Sequence, residues 1–247
     1  MKSEEYHCMY AAELQHWWHR SLWNEVRFWL EKTTEQRPQG QKTHVLDAGC
    51  GTGAVLKRLD LYTSVTAVGV DCSDLALNLA RTRTSCQLVK GDTKQLPFRA
   101  NAFDVVVCLD VLYTIEAFPA FHATLEQIRD VLTDRGVFIL QLPAFEFMRA
   151  RHDKNIHTAH RFRAAEVRKG LIDAGFTKCI VYYRCHALLA AAWLFRKLLF
   201  RHRSRSEVST PSRFLNELAY GYAEIESRVT RHLPVPFGLS VFAVGYK

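Results

Sequence analysis

The sequence lacks the patterns that mark membrane-spanning, secreted and zinc-binding proteins. Its longest apolar run, Ala187–Phe195, ends at Arg196 and is shorter than the roughly 18 residues that a membrane span requires. The first residues, MKSEEYHCMY, contain no apolar core of a secretory signal, so we expect a cytoplasmic protein. None of the seven cysteines has Cys-x-x-Cys spacing, and we therefore expect neither a metal site nor a disulfide framework.

Three nucleotide-binding patterns are also absent. No Gly-x-x-x-x-Gly-Lys-Ser/Thr segment occurs, which argues against a P-loop nucleotide triphosphatase. The glycine cluster of the chain reads Gly-x-Gly-x-Gly and not the Gly-x-Gly-x-x-Gly of dinucleotide-binding folds, and there is no Tyr-x-x-x-Lys pair. An NAD(P)-dependent oxidoreductase is therefore disfavoured.

The charge is unbalanced, with a formal net charge of +8 over 247 residues. Much of the basic excess follows residue 145, notably at Arg196 and Lys197 and in the segment 201–206. A solvated basic surface is the simplest interpretation, and an anionic substrate or an anionic membrane surface are the alternatives. Nucleic-acid binding is not favoured, because the basic stretch is short and no reading module accompanies it.

From residue 44 onward, short apolar runs alternate with helical patterns. The predicted strands are 44–48, 65–70, 87–90, 103–109, 136–142, 177–183 and 238–246. The predicted helices between them are 54–61, 73–82, 118–132 and 164–174. This alternation predicts a Rossmann-like, doubly wound α/β sheet of seven strands, with the last strand antiparallel.

The segments around this sheet predict a single domain with additions at both ends. Its parts are an N-terminal helical cap and linker (1–43), a core (44–183), a helical insertion (184–237) and a final strand (238–247). The cap is helical and rich in aromatic residues over 5–33, and the polar segment 31–43 is the linker. Ligands of such sheets bind beyond the carboxyl ends of the strands, so we expect 143–163 and 184–237 to cover the site and set substrate selectivity.

Glycines and two carboxylates follow the first three strands. Gly49, Gly51 and Gly53 link a buried strand to a helix, where a tight backbone turn approaches a ligand closely. Asp71 ends the second strand about 20 residues later, the place where a carboxylate accepts ribose hydroxyls. Asp92 follows the third strand and suits an adenine amino group. Each acid alone fits a surface role, but their shared spacing indicates a nucleoside site.

These segments resemble the motifs of class I S-adenosylmethionine (SAM)-dependent methyltransferases. The matching stretches are DAGCGTG at 47–53, VGVD at 68–71, KGDTKQLPF at 90–98 and FDVVVCLDVL at 103–112. The resemblance implies SAM as cofactor and S-adenosylhomocysteine as product. It also implies a set of cofactor-binding residues: Asp47, Gly49, Cys50, Gly51 and Gly53 at the methionine end, Asp71 and Cys72 at the ribose, Asp92 and Thr93 at the adenine, and Leu109 and Asp110 near the sulfonium. Many members read Val-Leu-Glu-His-Ile after the fourth strand, whereas this chain has Tyr113-Thr114 in place of Glu-His.

Three further segments resemble a bacterial subgroup that includes enzymes of lipid-linked glycan and natural-product pathways. They are HWWHR at 16–20, HDKNIHTAHRF at 152–162 and PFGLS at 236–240. The chain departs from the subgroup by having His160 where arginine is usual. From this region we predict a general base among His152, His157 and His160, because an oxygen or nitrogen acceptor needs a base that titrates near neutrality. We predict that the substrate contacts Tyr10, Trp17, Trp18, Tyr113 and Arg161.

The sequence therefore predicts a SAM-dependent methyltransferase that acts on a small-molecule or lipid-like metabolite, with oxygen as the favoured acceptor atom. Two alternatives stay open. One is a SAM-binding regulatory or scaffold subunit without catalysis, and the other is a methyltransferase acting on a lipid-linked glycan intermediate at a membrane surface. Peripheral membrane contact through the apolar and basic part of the insertion is compatible with the second.

Overall fold

Seven strands form one mixed sheet. The computed structural model describes residues 3–38, 40–186, 211–231, 233 and 235–247. Its strands are β1 (Thr43–Ala48), β2 (Val65–Asp71), β3 (Gln87–Lys90), β4 (Phe103–Leu109), β5 (Leu132–Pro143), β6 (Lys178–Arg184) and β7 (Ser240–Tyr246). Their order is β3-β2-β1-β4-β5-β7-β6. β7 is antiparallel to β5 and β6, and the remaining neighbours are parallel, so the predicted sheet is confirmed.

Helices surround this sheet. The described α-helices are α1 (Ser3–Ala12), α2 (Trp17–Thr34), α3 (Ala54–Leu59), α4 (Asp74–Arg81), α5 (Phe118–Val131), α6 (Arg151–Asn155), α7 (Ala164–Asp173) and α8 (Arg213–Thr230). Short 3-10 helices follow β4 at Leu112–Thr114 and β5 at Glu146–Met148.

Several element boundaries differ from those predicted. The helical region 5–33 is two helices, because His16 caps α2 by accepting a hydrogen bond at Nδ1 from the Trp18 N–H (3.2 Å). α2 then continues to Thr34, inside the predicted linker. β5 begins at Leu132, the predicted end of the preceding helix, because Leu132 already pairs with Phe103 of β4.

The central strand β4 is buried on both faces, which explains its nearly continuous apolar sequence. Successive side chains of a strand point to opposite faces. Val106 and Cys108 belong to the core that includes residues of α5 and α7. Val105 and Val107 belong to the opposite core, which includes residues of α2.

The strand directions place the candidate site residues along one edge of the sheet. β1, β2, β4 and β5 are parallel, and β6 points the same way because β7 is antiparallel to both β5 and β6. The segments that leave these strands at their carboxyl ends therefore meet at this carboxyl edge, where ligands of doubly wound sheets bind.

The described part of the insertion is mainly α8, which packs against α2. The Asn24 Nδ2 donates to the Tyr220 hydroxyl (2.6 Å), and Arg20 pairs with Glu217 (2.6 Å). The apolar run Ala187–Phe195 and the basic segment 201–206 lie outside the described residues. Among the helices that are described, none is long and apolar enough to cross a membrane.

Candidate active site

The glycine turn after β1 combines a packed side with an open side. Gly49, Gly51 and Gly53 have φ angles of +83°, +52° and +83°, which disfavour residues with a Cβ. A Cβ added to Gly49 would lie 2.3 Å from Cγ2 of Val111, so this turn packs directly on the residues that follow β4. A Cβ added to Gly51 would meet no atom within 4 Å. The middle of the turn therefore leaves room for a ligand.

Asp71 ties the end of β2 to this turn. Its carboxylate accepts hydrogen bonds from the Gly51 N–H at Oδ2 (2.9 Å) and from the Ser73 N–H at Oδ1 (2.9 Å). These two bonds fix the carboxylate and leave further lone pairs on both oxygens. Cys72 beside it is exposed. The structure thus brings Asp71 to the glycine turn, and its role at the ribose stays a prediction.

Tyr6 of α1 is a neighbour of Asp71 that was not predicted from the sequence. Its hydroxyl bonds to the Ser73 side chain. Burial raises the pKa of Tyr6, whereas the bond to Ser73 lowers the pKa by a smaller amount. The charges of Asp71 and Cys72 raise the pKa further. A single tyrosine in a polar helix gives no sequence signal, since its partners lie in a distant part of the chain.

Asp92 and Thr93 lie beyond β3, at the more open end of the edge. Asp92 is exposed, and its Oδ1 accepts from the Lys94 N–H (2.9 Å). The Gly91 N–H donates to the Asp71 backbone oxygen (3.1 Å), which connects this loop to the end of β2. Thr93 is half-buried.

Asp47 has a buried carboxyl with an uncompensated oxygen. Its Oδ2 is buried and has no hydrogen-bond partner. Burial raises the pKa of Asp47 to about 8, and the negative charges of Asp71 and Glu13 act in the same direction. Burial also raises the pKa of the Cys50 thiol, so this cysteine is not an ionised nucleophile. A positively charged ligand beside Asp47 would offset this unfavourable electrostatic environment.

The turn between α1 and α2 is joined to the glycine turn by buried polar groups. The Thr52 hydroxyl donates to Glu13, and Nη1 of Arg83 donates to the same carboxylate (2.6 Å) and to Thr52 Oγ1 (3.1 Å). Arg83 also lies over the Tyr10 ring, 3.9 Å from its centroid, and donates to the Tyr10 backbone oxygen. Tyr10 therefore packs against the backbone segment that follows α4 and contains Arg83. Neither charged member of this cluster, Glu13 or Arg83, is predicted from the sequence.

A second polar chain runs along the carboxyl edge from β4 to β6. Nε2 of Gln141 donates to Asp110 Oδ2 (2.9 Å), and Nη1 of Arg184 donates to Gln141 Oε1 (2.6 Å). Nη2 of Arg184 donates to the Ser21 hydroxyl of α2 (3.2 Å). Leu109 precedes Asp110 and is half-buried. Gln141 and Arg184 were not predicted, although each is a polar residue that follows an apolar stretch of its strand.

Trp17 and Trp18, at the start of α2, lie between helix α8 and the polar side chains that run from Asp110 to Arg184. The Trp17 N–H donates to Asn216 Oδ1 (2.9 Å) on α8. The Arg184 guanidinium is 5.9 Å from the centroid of the Trp18 ring. The two indoles meet edge to face, with 5.6 Å between ring centroids. Trp18 therefore lies beside the polar chain, and its contact with the substrate stays a prediction.

Arg161 and Tyr113 are both engaged in internal contacts. Arg161 makes a two-point ion pair with Asp153 (2.9 and 3.2 Å) and donates to the Ala144 backbone oxygen (2.9 Å). The backbone oxygen of Tyr113 accepts from the N–H groups of Ala159 (2.9 Å) and His160 (3.2 Å). These bonds hold 152–162 against the turn that follows β4. A substrate role for either side chain stays a prediction.

The three predicted histidines occupy different surroundings. His157 is exposed, with a φ of +57°. The His160 ring packs on Phe162 (4.5 Å between centroids), and its Nε2 lies 3.7 Å from Glu166 of α7. His152 lies in α6, and its side chain lies outside the described part of the structure. The structure thus does not bring His157 and His160 together.

Within the described ranges, no group of three or more His, Cys, Asp or Glu side chains is arranged to hold a metal ion.

Comparison with known proteins identifies the type of domain. A family model described as a methyltransferase domain matches residues 39–179, more than half of the chain. The matched range contains the glycine turn and all of the strands β1 to β5.

Two curated relatives cover similar parts of the chain. Malonyl-(acyl-carrier protein) O-methyltransferase of Geobacter sulfurreducens is 32% identical over 162 residues, which are 58% of this chain and 58% of that protein. Probable tRNA methyltransferase 9B of Mus musculus is 28% identical over 145 residues, 59% of this chain and 29% of that protein. The chain thus spans less than two thirds of either relative.

The fold is shared with solved structures. A SAM-dependent methyltransferase of Thermotoga maritima, described as a possible histamine N-methyltransferase, aligns with a TM-score of 0.60 and 18% identity. The alignment covers 99% of this chain and 95% of that one. At this identity the likeness concerns the fold.

Proposed function

The chain belongs to the class I SAM-dependent methyltransferases, and from this membership we propose that it methylates an oxygen atom of a small, lipid-like acceptor. Three groups of observations support the proposal: the cofactor site, the polar chain on the acceptor side, and an apolar surface on α8.

The residues around the glycine turn fit SAM. SAM carries a positive sulfonium and a positive amino group, and Asp47 presents a buried carboxyl oxygen without a partner. Gly51 leaves space for close approach, and Asp71 keeps lone pairs for ribose hydroxyls. We assign the methionine end to the glycine turn with Asp47, and the ribose to Asp71. When bound, SAM supplies an activated methyl group, so the protein mainly has to align the acceptor and exclude water.

The observation that carries the proposal for an oxygen acceptor is the carboxyl of Asp110, which Gln141 orients at the carboxyl end of β4. An alcohol needs a nearby base as its oxygen forms the new bond. Asp110 directly precedes Val111, the residue that packs on Gly49. The bacterial relative is, by its name, an O-methyltransferase, which agrees with an oxygen acceptor. His152, His157 and His160 stay candidate bases from the sequence.

A lipid-like acceptor is supported by an apolar stripe on α8, which we define as Phe214, Leu218, Ile225 and Val229. The spacing of these residues places them on one side of the helix, and all four are exposed. The opposite side of α8 packs against α2. Large apolar patches that are exposed on a protein surface mark contacts with partners or membranes.

We infer that this stripe contacts an anionic lipid surface. The segment 184–237 carries nine arginine and lysine residues against four glutamates, so most of the net charge of +8 is concentrated there. Five of the nine basic residues belong to 196–205, outside the described residues, and a segment that combines apolar and basic residues is typical of a membrane interface. Asn216, on the opposite and buried side of α8, bonds to Trp17 and so connects this helix to the acceptor side.

The proposal is tested by methyl transfer from labelled SAM. The purified chain is incubated with methyl-labelled SAM and an extract of host cells, and the products are partitioned between water and organic solvent. We expect label in the organic phase, as an alkali-stable ether or an alkali-labile ester. Label confined to water-soluble molecules would contradict the lipid-like acceptor. SAM binding without transfer to any fraction would favour a SAM-binding subunit without catalysis.

A further inference from the structure

Asp110 is held in a backbone conformation that few aspartates adopt. Its φ is +52°, in the left-handed region, and its N–H donates to the backbone oxygen of Gln141 (2.9 Å). Such conformations cost free energy and cluster at functional sites. Asp110 is the first residue beyond β4. Its left-handed conformation bends the backbone at this point, where the chain lies between the glycine turn and β5.

The carboxyl of Asp110 is oriented by two buried side chains. Gln141 and Arg184 are almost fully buried, with 0% and 2% exposure. Arginine has only donors, so Arg184 must bond to the oxygen of the Gln141 amide (2.6 Å). The amide nitrogen of Gln141 then faces Asp110 and donates to Oδ2 (2.9 Å). Because a flipped amide would lose both bonds, Arg184 fixes Gln141 as a donor to Asp110.

This arrangement favours the ionised form of Asp110 and leaves Oδ1 without a bond to Gln141. A hydrogen bond from a fixed donor stabilises a carboxylate more than a carboxylic acid. A purely structural link between β4, β5 and β6 would be served equally well by apolar residues, which need no polar partners. The polar chain therefore calls for a function that uses the carboxylate.

On the premise that the chain methylates oxygen, we propose that Asp110 takes the proton of the acceptor hydroxyl, and that Gln141 and Arg184 are positioning residues for its carboxylate. The bond from the methyl carbon to sulfur breaks as the bond from that carbon to the acceptor oxygen forms. The electron pair stays on sulfur, which becomes a neutral thioether. The hydroxyl proton moves to Asp110 and leaves to solvent after the product departs.

The charged and titratable groups around Asp110 support this role. Arg184 faces it from β6, Arg161 from the segment after β5, and Tyr113 and Cys108 flank it in sequence. Burial raises the pKa of Asp110 to about 6, although the Gln141 bond and the charges of Arg184 and Arg161 lower the pKa. At neutral pH the group is thus mainly ionised, with an affinity for protons suited to a general base.

The first test compares Asp110→Asn with the wild type. Asparagine keeps the shape but cannot take a proton, so we expect transfer of label to the extracted acceptors to fall by about 100-fold or more. Affinity for SAM, measured by calorimetry, should change little. The matched control is Asp134→Asn, an exposed position, which should transfer label at the wild-type rate. Loss of SAM binding in Asp110→Asn would instead make Asp110 a cofactor ligand and overturn the proposal.

The second test uses the pH profile, which a merely structural role would not move. Gln141→Glu keeps the shape and the contact with Arg184, but it places a second carboxylate beside Asp110. We expect the acidic limb of the rate to move up by about one pH unit or more, since like charges raise the pKa of a carboxyl. A uniform loss of rate at every pH, or a limb that His160→Gln abolishes and Asp110→Asn retains, would overturn the proposal.

A measurement without acceptor separates this inference from the proposed function. Carbon-13 NMR of labelled aspartate in the complex with SAM should show one carboxyl, absent in Asp110→Asn, whose titration moves up in Gln141→Glu. If this titration moves but no acceptor is ever methylated, the proposed function fails while the coupling of Gln141 to Asp110 stands. An unmoved titration overturns the coupling, whatever the activity.

Discussion

Asp47 is a buried carboxyl whose ionised form the folded chain does not compensate. Its pKa is raised from 3.8 to about 8 by burial and by the nearby carboxylates of Asp71 and Glu13. Between these two values the folded chain holds a proton that the unfolded chain has released. The contribution of Asp47 to folding stability therefore falls as pH rises through this range.

The raised pKa of Asp47 leads to a prediction about SAM binding. A cationic ligand favours ionised Asp47, so binding should release a proton, and affinity should increase by up to about tenfold per pH unit towards the pKa. Calorimetric titration with SAM from about pH 6 to about pH 8 would measure this. Asp47→Asn should bind SAM more weakly and without the pH dependence, and Asp134→Asn should behave as the wild type. A flat profile in the wild type would remove Asp47 from the cofactor site.

The sequence predicts residues whose role depends on their own neighbours in the chain. Gly49, Gly51 and Asp71 stand out because a strand, a glycine turn and a second strand follow one another locally. The partners in the polar clusters are 31 to 163 residues apart, as in the pairs Gln141–Asp110 and Arg184–Ser21. Only the packing of strands and helices in the fold brings these pairs together, so the sequence alone gives no reason to connect them.

At the scale of elements, the turn between α1 and α2 is joined to the cofactor site by a buried ion pair. The side chains of Arg83 and Glu13 are 5% and 7% exposed, and Thr52 of the glycine turn bonds to both. The strands were predictable from their apolar runs. The break between α1 and α2 was not, because it depends on a histidine cap and on this distant ion pair.

Removing the arginine of this pair should destabilise the protein and weaken SAM binding together. Arg83→Met leaves Glu13 buried without its partner, and breaking a buried pair costs about 3–5 kcal/mol. Urea unfolding would measure the stability and calorimetry the affinity. Arg81→Met is the matched control, because Arg81 is exposed and bonds only to Asn78 among the contacts described. Equal stability of the two variants would show that the ion pair does not hold this turn in place.

At the scale of the whole molecule, charge and apolar surface are distributed unevenly. Most of the net positive charge belongs to the segment 184–237, and the α8 stripe lies in the same segment. Scattered apolar residues are exposed elsewhere, such as Leu61 and Ile172. A stripe differs from these because its residues act together on one flat partner, whereas a single exposed leucine contributes little.

Membrane binding should therefore depend on the stripe and on anionic lipid together. We expect the protein to sediment with vesicles of equimolar phosphatidylglycerol and phosphatidylcholine at low salt, and to be released by high salt or by pure phosphatidylcholine. Ile225→Ser and Phe214→Ser should reduce sedimentation, because each removes apolar area from the interface. Leu61→Ser, at a residue that is 79% exposed, should not. The alternative is that the wild type stays in the supernatant, and that the serine substitutions convert a dimer to a monomer in size-exclusion chromatography. The stripe would then bind a second copy of the chain, and acceptors would have to reach Asp110 from solution.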